Sequence, residues 1–314
     1  MNKRAVFYLA ADGNIDHVAA PVFKALLELN TLIETNIIVD GKPVLMKKNQ
    51  AGDEFYFVRT EKVLCHDYNR YLPIMLEHFS DFDVAGIVTW HEGANAPEHI
   101  FSVHTTGDVD SGNFGPANPQ FMHNILVALE KNRVEENLED FAVTTEATHW
   151  SGMMYGDSGP ELIPQYPVPI MDIEIGSSEQ SWKNPQAVKV LAKSLTEIFK
   201  EDGLKLKNVL CAGGQHFERG FSAEIFDTWD SYGYGISHII PNQWLVTGEY
   251  EKDTGQEKLE FCVNSIAGEI SGIAMHDGLK GAYKEQLRIL GDKYNIPVFK
   301  HQKLRKPETI EWPI

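Results

Sequence analysis

Cysteine is scarce. Cys65, Cys211 and Cys262 are the three in 314 residues, odd in number and unevenly spaced. That excludes a secreted disulfide scaffold and a cysteine-based zinc ribbon. No apolar run approaches the roughly 20 residues of a membrane span. The short apolar stretch near the start ends at Asp12, too early for an export signal, so it reads as a first β-strand and a cytoplasmic location is expected. Positive charge is also in deficit. The chain has 28 Lys and Arg against 45 Asp and Glu, a net charge of −17, which works against non-specific nucleic-acid binding; neither DNA nor membrane is an expected partner. The His-Glu-x-x-His helix, the Walker loop and the Gly-x-Ser-x-Gly elbow are all missing, so three familiar catalytic frameworks are excluded by spacing.

Hydrophobic residues make up 43% and charged residues 23% of the chain, the balance of a folded soluble protein. Short β-branched and aromatic runs alternate with amphipathic helical patterns, which predicts an α/β fold with a substantial sheet. Val6–Ala10 reads as a strand and His17–Leu29 as a helix. Residues 37–45 read as a hairpin turning on Asp40-Gly41, with Phe55–Arg59 as its third strand. Val84–Thr89, Phe141–Thr148, Ile170–Ile175, Val209–Ala212, Ile236–Ile240 and Cys262–Ile266 read as further strands. Asn118-Pro119 and Asn184-Pro185 each open a helix. The second carries Val188, Leu191, Ala192, Leu195, Ile198 and Phe199 on one face and stops at Gly203. A last helix covers Tyr283–Tyr294. With no repeat and no linker-like stretch, one compact domain over 1–314 is expected, with a β-rich elaboration around 30–65.

The chemistry gathers where strands end. Trp90-His91-Glu92-Gly93, Val103-His104-Thr105-Thr106-Gly107, Thr145-Glu146-Ala147-Thr148-His149, Asp172-Ile173-Glu174-Ile175-Gly176-Ser177, Gly213-Gly214-Gln215-His216 and Ser237-His238 all place His or Glu beside glycine or hydroxyl residues. Ligands of open α/β sheets bind at strand ends, and imidazoles and carboxylates there hold zinc or move protons. For His104, His149, His216 and His238 the readings are metal ligand, acid/base or structural histidine. Glu146 and Glu174 interrupt apolar strands, and a buried carboxylate needs a cation or donors. His66, His78, His123 and His301 read as surface or helix residues. The loop His276-Asp277-Gly278-Leu279-Lys280-Gly281 reads as the mouth of a site, where Lys280 meets a phosphate or carboxylate or is merely solvated.

Taken in order, these segments resemble the archaeal and plant type of D-aminoacyl-tRNA deacylase. His104-Thr105-Thr106-Gly107, Glu146-Ala147-Thr148-His149, Ile173-Glu174-Ile175-Gly176-Ser177-Ser178-Glu179-Gln180-Ser181-Trp182, Gly213-Gly214-Gln215-His216-Phe217, Ser237-His238-Ile239-Ile240-Pro241 and Lys280-Gly281 look like that family's motifs, over roughly residues 80 to 300. There are departures. Trp150 replaces the second His of a His-His pair, and Ser151-Gly152 replaces Gly-Pro. Gln215 replaces a Gly and Phe217 a Tyr. Insertions follow Gly107 and Gly152, the latter over 153–169.

The resemblance implies a three-layer α/β/α arrangement around a mixed sheet, similar to nucleoside phosphorylases and peptidyl-tRNA hydrolases. It also implies hydrolysis of the ester between a D-amino acid and tRNA, assisted by zinc, with as many as two ions per chain. His104, Glu146, His149, Glu174, His216 and Lys280 are then the catalytic candidates. Gly176, Ser177, Gly213 and Gly214 are the candidates for holding an oxyanion, and His149, Glu174, His216 and His238 for the metal. Two rival readings stay open. One is a metal-assisted hydrolase of a small amino-acid-like ester or amide without tRNA, and the other a non-catalytic binding protein.

Overall fold

The computed structural model describes residues 2–12, 15–93, 96–152, 156 and 158–313. The single domain expected over 1–314 divides into two compact units. The first comprises Met1–Val103, Asn124–Thr144 and Ser151–Lys200, the second His104–His123, Thr145–Trp150 and Glu201–Ile314. Each unit is assembled from three separate stretches, so no linker composition marks a boundary in the sequence.

The first unit is built on β1 (Arg4–Leu9), β2 (Ile33–Val39), β3 (Lys42–Lys48), β4 (Glu54–Arg59), β5 (Val84–His91), β6 (His99–Thr105), β7 (Ala142–Thr145) and β8 (Ile170–Ser177). They form one mixed sheet in the order β2-β3-β4-β1-β5-β8-β6-β7. Strand β1 is parallel to both β4 and β5, and β8 is parallel to β5. Buried on both faces, β1 and β5 are apolar almost without a break. The expected β-rich region is the antiparallel run β2-β3-β4. Its hairpin turns on Asp40 (φ +48°) and Gly41 (φ +74°), the paired left-handed residues that a two-residue hairpin loop requires.

Side chains alternate across a strand, and their contacts show three layers. Phe7 stacks on Phe57 at 5.8 Å, Phe55 meets Phe199 at 5.4 Å, and the Arg59 guanidinium lies 5.1 Å over Phe23. That face is covered by the helices Ala19–Leu29 and Pro185–Leu195. Tyr8 points the other way and meets Phe79 at 6.0 Å, just past the helix Tyr68–His78. The Asn184 side chain caps the Pro185–Leu195 helix, accepting from the amides of Gln186 and Ala187 at 2.9 and 3.1 Å. All six residues of its expected apolar face are buried. The helix nevertheless ends at Leu195, not at Gly203, and Ile198 and Phe199 fill the core from the turn beyond it.

The second unit carries β9 (Lys205–Ala212), β10 (Thr228–Trp229), β11 (Tyr232–Ile240), β12 (Gly272–Met275) and β13 (Val298–Lys300), in the order β10-β11-β9-β12-β13. All pairs are parallel except the edge strand β10. Leu210, Ala212, Ile240 and Ile273 share a core with Leu259, Cys262 and Val263, and with Tyr283, Leu287 and Leu290. The first trio shows that Cys262–Ile266 is not a strand. Its first three residues end the helix Asp253–Asn264, and a helical face spaced by three and one looks like a short β run in the chain. The Phe141–Thr148 strand is likewise shorter, because β7 stops at Thr145. All three cysteines are buried thiols. No helix among the described residues is long and apolar enough to cross a membrane.

Candidate active site

Four chain segments of the second unit meet at strand ends. The last two residues of β6, His104 and Thr105, run into Thr106, which bridges to His149; the Gly107 amide donates to the His149 carbonyl at 3.2 Å. On its other side, the 146–149 segment is held by Ala147 donating to the His216 carbonyl and Thr148 donating to the Ile239 carbonyl, both at 2.9 Å. Backbone pairing thus brings together side chains separated by more than a hundred positions in sequence.

The result is a connected set of imidazoles around one carboxylate. His216 Nε2 lies 2.7 Å from Glu146 Oε2; the Glu146 side chain is fully buried, whereas that of His216 is 30% exposed. The rings of His104 and His149 stack at 3.8 Å and 24°, and His149 lies 4.9 Å from His216. Trp244 closes the group, 5.8 Å from His216 and 6.2 Å from His149. Burial pushes the His149 pKa well below that of an ordinary histidine, and the neighbouring His104 pushes the same way, against the attraction of Glu146. Its Nδ1–H donates to the Ala147 carbonyl at 2.9 Å, so the neutral ring carries its lone pair on Nε2.

His238 does something else. Its Nδ1 is bonded to the hydroxyls of Thr105 at 2.8 Å and Thr148 at 3.2 Å, and its Nε2 to that of Ser265 at 3.0 Å. The residue is fully buried, which pulls its pKa down to about 3. With both nitrogens engaged it has no lone pair left for an ion. The metal-ligand expectation for His238 is therefore replaced by that of a clamp between the segments that carry His104 and His149.

Glu174, Gly176 and Ser177 lie at the end of β8 in the first unit. There the Glu174 carboxylate accepts from the Ser102 hydroxyl at 3.4 Å, and Ser177 Oγ pairs with His91 Nδ1 at 2.8 Å. A Cβ on Gly176 would stand 2.6 Å from the His91 Cβ, so this glycine makes room for His91. Two amides proposed for an oxyanion are already occupied: that of Ser177 donates to the Glu98 carbonyl, and that of Gly213 to the Ile240 carbonyl at 2.8 Å. Gly213 and Gly214, at φ +94° and +76°, instead turn the chain past His276 and Glu218, with which any Cβ would collide. Lys280 is exposed in front of the helix Gly281–Tyr294.

The sequence reading missed Trp244 and Glu218. The Glu218 carboxylate accepts from the amides of Gln215 and Gly220 at 3.2 and 3.1 Å and lies 3.7 Å from His276 Nε2. The only available signal was position: Glu218 is two residues past His216, and Trp244 three past Pro241. His123, read as a surface or helix residue, lies in the helix Pro119–Glu135 but is buried, 4% exposed, and bonded to Asp202 at 2.8 Å. Among the departures from the family motifs, Trp150 is buried, Gln215 is exposed, and Phe217 packs edge-on against His216 at 5.2 Å. Of the 153–169 insertion, residues 153–155 and 157 lie outside the described residues, and Pro160–Gln165 forms a 3-10 turn.

Comparison with known proteins bears on this arrangement. The chain is 27% identical over 197 residues to a D-aminoacyl-tRNA deacylase of Archaeoglobus fulgidus, covering 60% of this chain and 65% of that one. It is 25% identical over 161 residues to one of Cenarchaeum symbiosum, covering 56% of that protein. The match thus spans less than two thirds of either relative. A Pyrococcus abyssi D-aminoacyl-tRNA deacylase is 22% identical over 293 residues, covering 91% of this chain and 97% of that one. A crystal structure described as a conserved protein of unknown function shares the fold, with a TM-score of 0.75 at 20% identity over 100% of this chain and 99% of that one. The family model for D-aminoacyl-tRNA deacylase matches residues 78–299, a span that includes every residue of the imidazole group. The chain belongs to the D-aminoacyl-tRNA deacylase family.

Proposed function

We propose that this protein hydrolyses the ester between a D-amino acid and tRNA at the imidazole group of its second unit. The observation that carries the reading is the buried Glu146 carboxylate 2.7 Å from the partly exposed His216. A buried carboxylate bonded to one ring nitrogen orients the imidazole so that its other nitrogen can act as a general base. His216 takes a proton from water as its oxygen bonds to the ester carbonyl carbon. The tetrahedral intermediate then collapses, the carbon–oxygen bond to the ribose breaks, and the proton passes to the ribose oxygen. The products are a free D-amino acid and tRNA with its terminal hydroxyl restored. Three unpaired, buried thiols suit a reducing compartment such as the cytoplasm.

Zinc fits the donor types present. His149, neutral and with its Nδ1 fixed on a backbone carbonyl, has the tautomer and outer hydrogen bond usual for a metal-bound histidine. Glu146 and His216 offer donor atoms close enough together to share an ion, in which case His216 would be a ligand and not the base, and His238 would hold none. A zinc ion there supplies Lewis acidity and a more acidic water.

The test is turnover of D- and L-tyrosyl-tRNA by wild type, His149→Ala and His216→Ala, with and without chelator. Each substitution is expected to cost about 100-fold or more in D-tyrosyl-tRNA turnover, and full activity in both variants overturns the site. The net charge of −17 favours a second reading, hydrolysis of a small amino-acid-like ester. Cleavage of D-tyrosine ethyl ester by an enzyme inert towards D-tyrosyl-tRNA would establish it.

A further inference from the structure

The chain's positive charge is unevenly placed. Residues 280–306 contain eight Lys and Arg against two acidic residues, in a protein whose net charge is −17. The run 300–306 has four cations (Lys300, Lys303, Arg305 and Lys306) and no carboxylate. All four are exposed. This run lies just past the residues matched by the family model, 78–299.

Tertiary structure joins the two ends of this segment. Lys284 donates to the Asp277 backbone carbonyl at 2.8 Å, and Lys300 lies 3.4 Å from the Asp277 carboxylate, so the start of the Gly281–Tyr294 helix and the end of β13 converge on one loop. The same loop connects to the candidate active site. His301 stacks on His276 at 4.6 Å, His276 lies 3.7 Å from Glu218, and Glu218 holds the amide of Gln215, the residue before His216. Asp277 and Glu224 engage Lys300 and Arg305. Among the described residues, Lys303 reaches the Thr309 carbonyl, at 3.2 Å.

We propose that this cationic strip, centred on Lys300, Lys303 and Lys306 with Lys280 at its other end, is the surface on which the phosphodiester backbone of tRNA docks beside the His216 loop. An acidic protein that acts on a polyanion needs a local surface of the opposite sign. A strip this close to the general base would hold the acceptor end where the ester must lie. The inference rests on the function proposed above and adds the place where the substrate's nucleic-acid part binds.

The test is filter binding of deacylated tRNA from about 50 to about 300 mM salt. It compares wild type, Lys303→Glu/Lys306→Glu, Lys280→Glu, and the control Lys24→Glu/Lys252→Glu, in which two exposed lysines elsewhere undergo the same change in net charge. The first double variant is expected to lose about tenfold or more in affinity at low salt and about 2 from the slope of log affinity against log salt; Lys280→Glu is expected to lose about 1. The control should keep the wild-type slope. Wild-type slopes in both strip variants, or equal losses in strip variant and control, overturn the strip while D-tyrosyl-tRNA turnover by wild type still supports the proposed function. No tRNA binding and no D-tyrosyl-tRNA turnover by wild type overturns both.

Discussion

In the first unit the bonds of the buried polar groups include many to hydroxyls and backbone amides: His91 to Ser177, Cys65 to Ser151, Glu174 to Ser102, and Asp16 to the amides of Val18 and Ala19. In the second they form connected sets, Glu146 with three stacked or tilted imidazoles and His238 with three hydroxyls. A connected set transmits orientation and charge from one side chain to the next, and a proton relay or a metal site needs that. Both units are layered α/β structures with polar strand ends, so architecture alone does not separate them.

One buried group from each unit shows opposite responses to pH. Burial lifts the Asp16 carboxyl to about 6, against the pull of the amides that donate to it. The folded state then binds the extra proton between about pH 4 and about pH 6, and stability is lost as pH rises through that window. Burial pulls His238 down to about 3, so here the unfolded chain binds the extra proton. Stability is lost as pH falls below about 6.5, by roughly 2 kcal/mol at pH 5.

The largest expected effect tests whether the connected set is catalytic. Glu146→Gln keeps the hydrogen-bonding shape but removes the charge, and kcat on D-tyrosyl-tRNA should fall by about 100-fold or more; a change under about threefold removes Glu146 from the mechanism. Next is the clamp. His238→Leu removes one partner from each of three hydroxyls and should cost about 3 kcal/mol by urea denaturation. It should also flatten the decline in stability between about pH 6.5 and about pH 4. A variant that keeps the full decline would assign that acid sensitivity to other groups. Asp16→Asn can still cap the helix but is never ionised, so it should gain about 3 kcal/mol at pH 7 and close to nothing at pH 4, measured by melting at both pH values. The smallest effect belongs to Ser265→Ala, which removes one of His238's three partners, about 1 kcal/mol. A loss as large as that of His238→Leu would mean the clamp is carried by Ser265 alone.

Much of this was legible in the chain. The Asp40-Gly41 hairpin, the Asn184 cap and the apolar face of the helix behind it follow from local rules, because turn dihedrals, capping and amphipathic spacing are properties of a few consecutive residues. Where local rules compete, reading the sequence failed. Cys262–Ile266 fits a strand or a helix end equally well until β9 supplies the surface that its Cys262 and Val263 face. His123 carries no mark in sequence of the partner, 79 residues away, that buries it.

The sequence by itself determined which side chains stand at strand ends, since alternation and glycine placement are written locally, and its ordered motifs carried the family. It did not determine their duties. His149 and His238 look equivalent in the chain, yet one faces two imidazoles and a carboxylate while the other has both nitrogens bonded to hydroxyls. Only tertiary structure decides this, because a histidine's role depends on what its two nitrogens meet. Those partners come from strands that are distant in the chain and adjacent only once the sheet has formed.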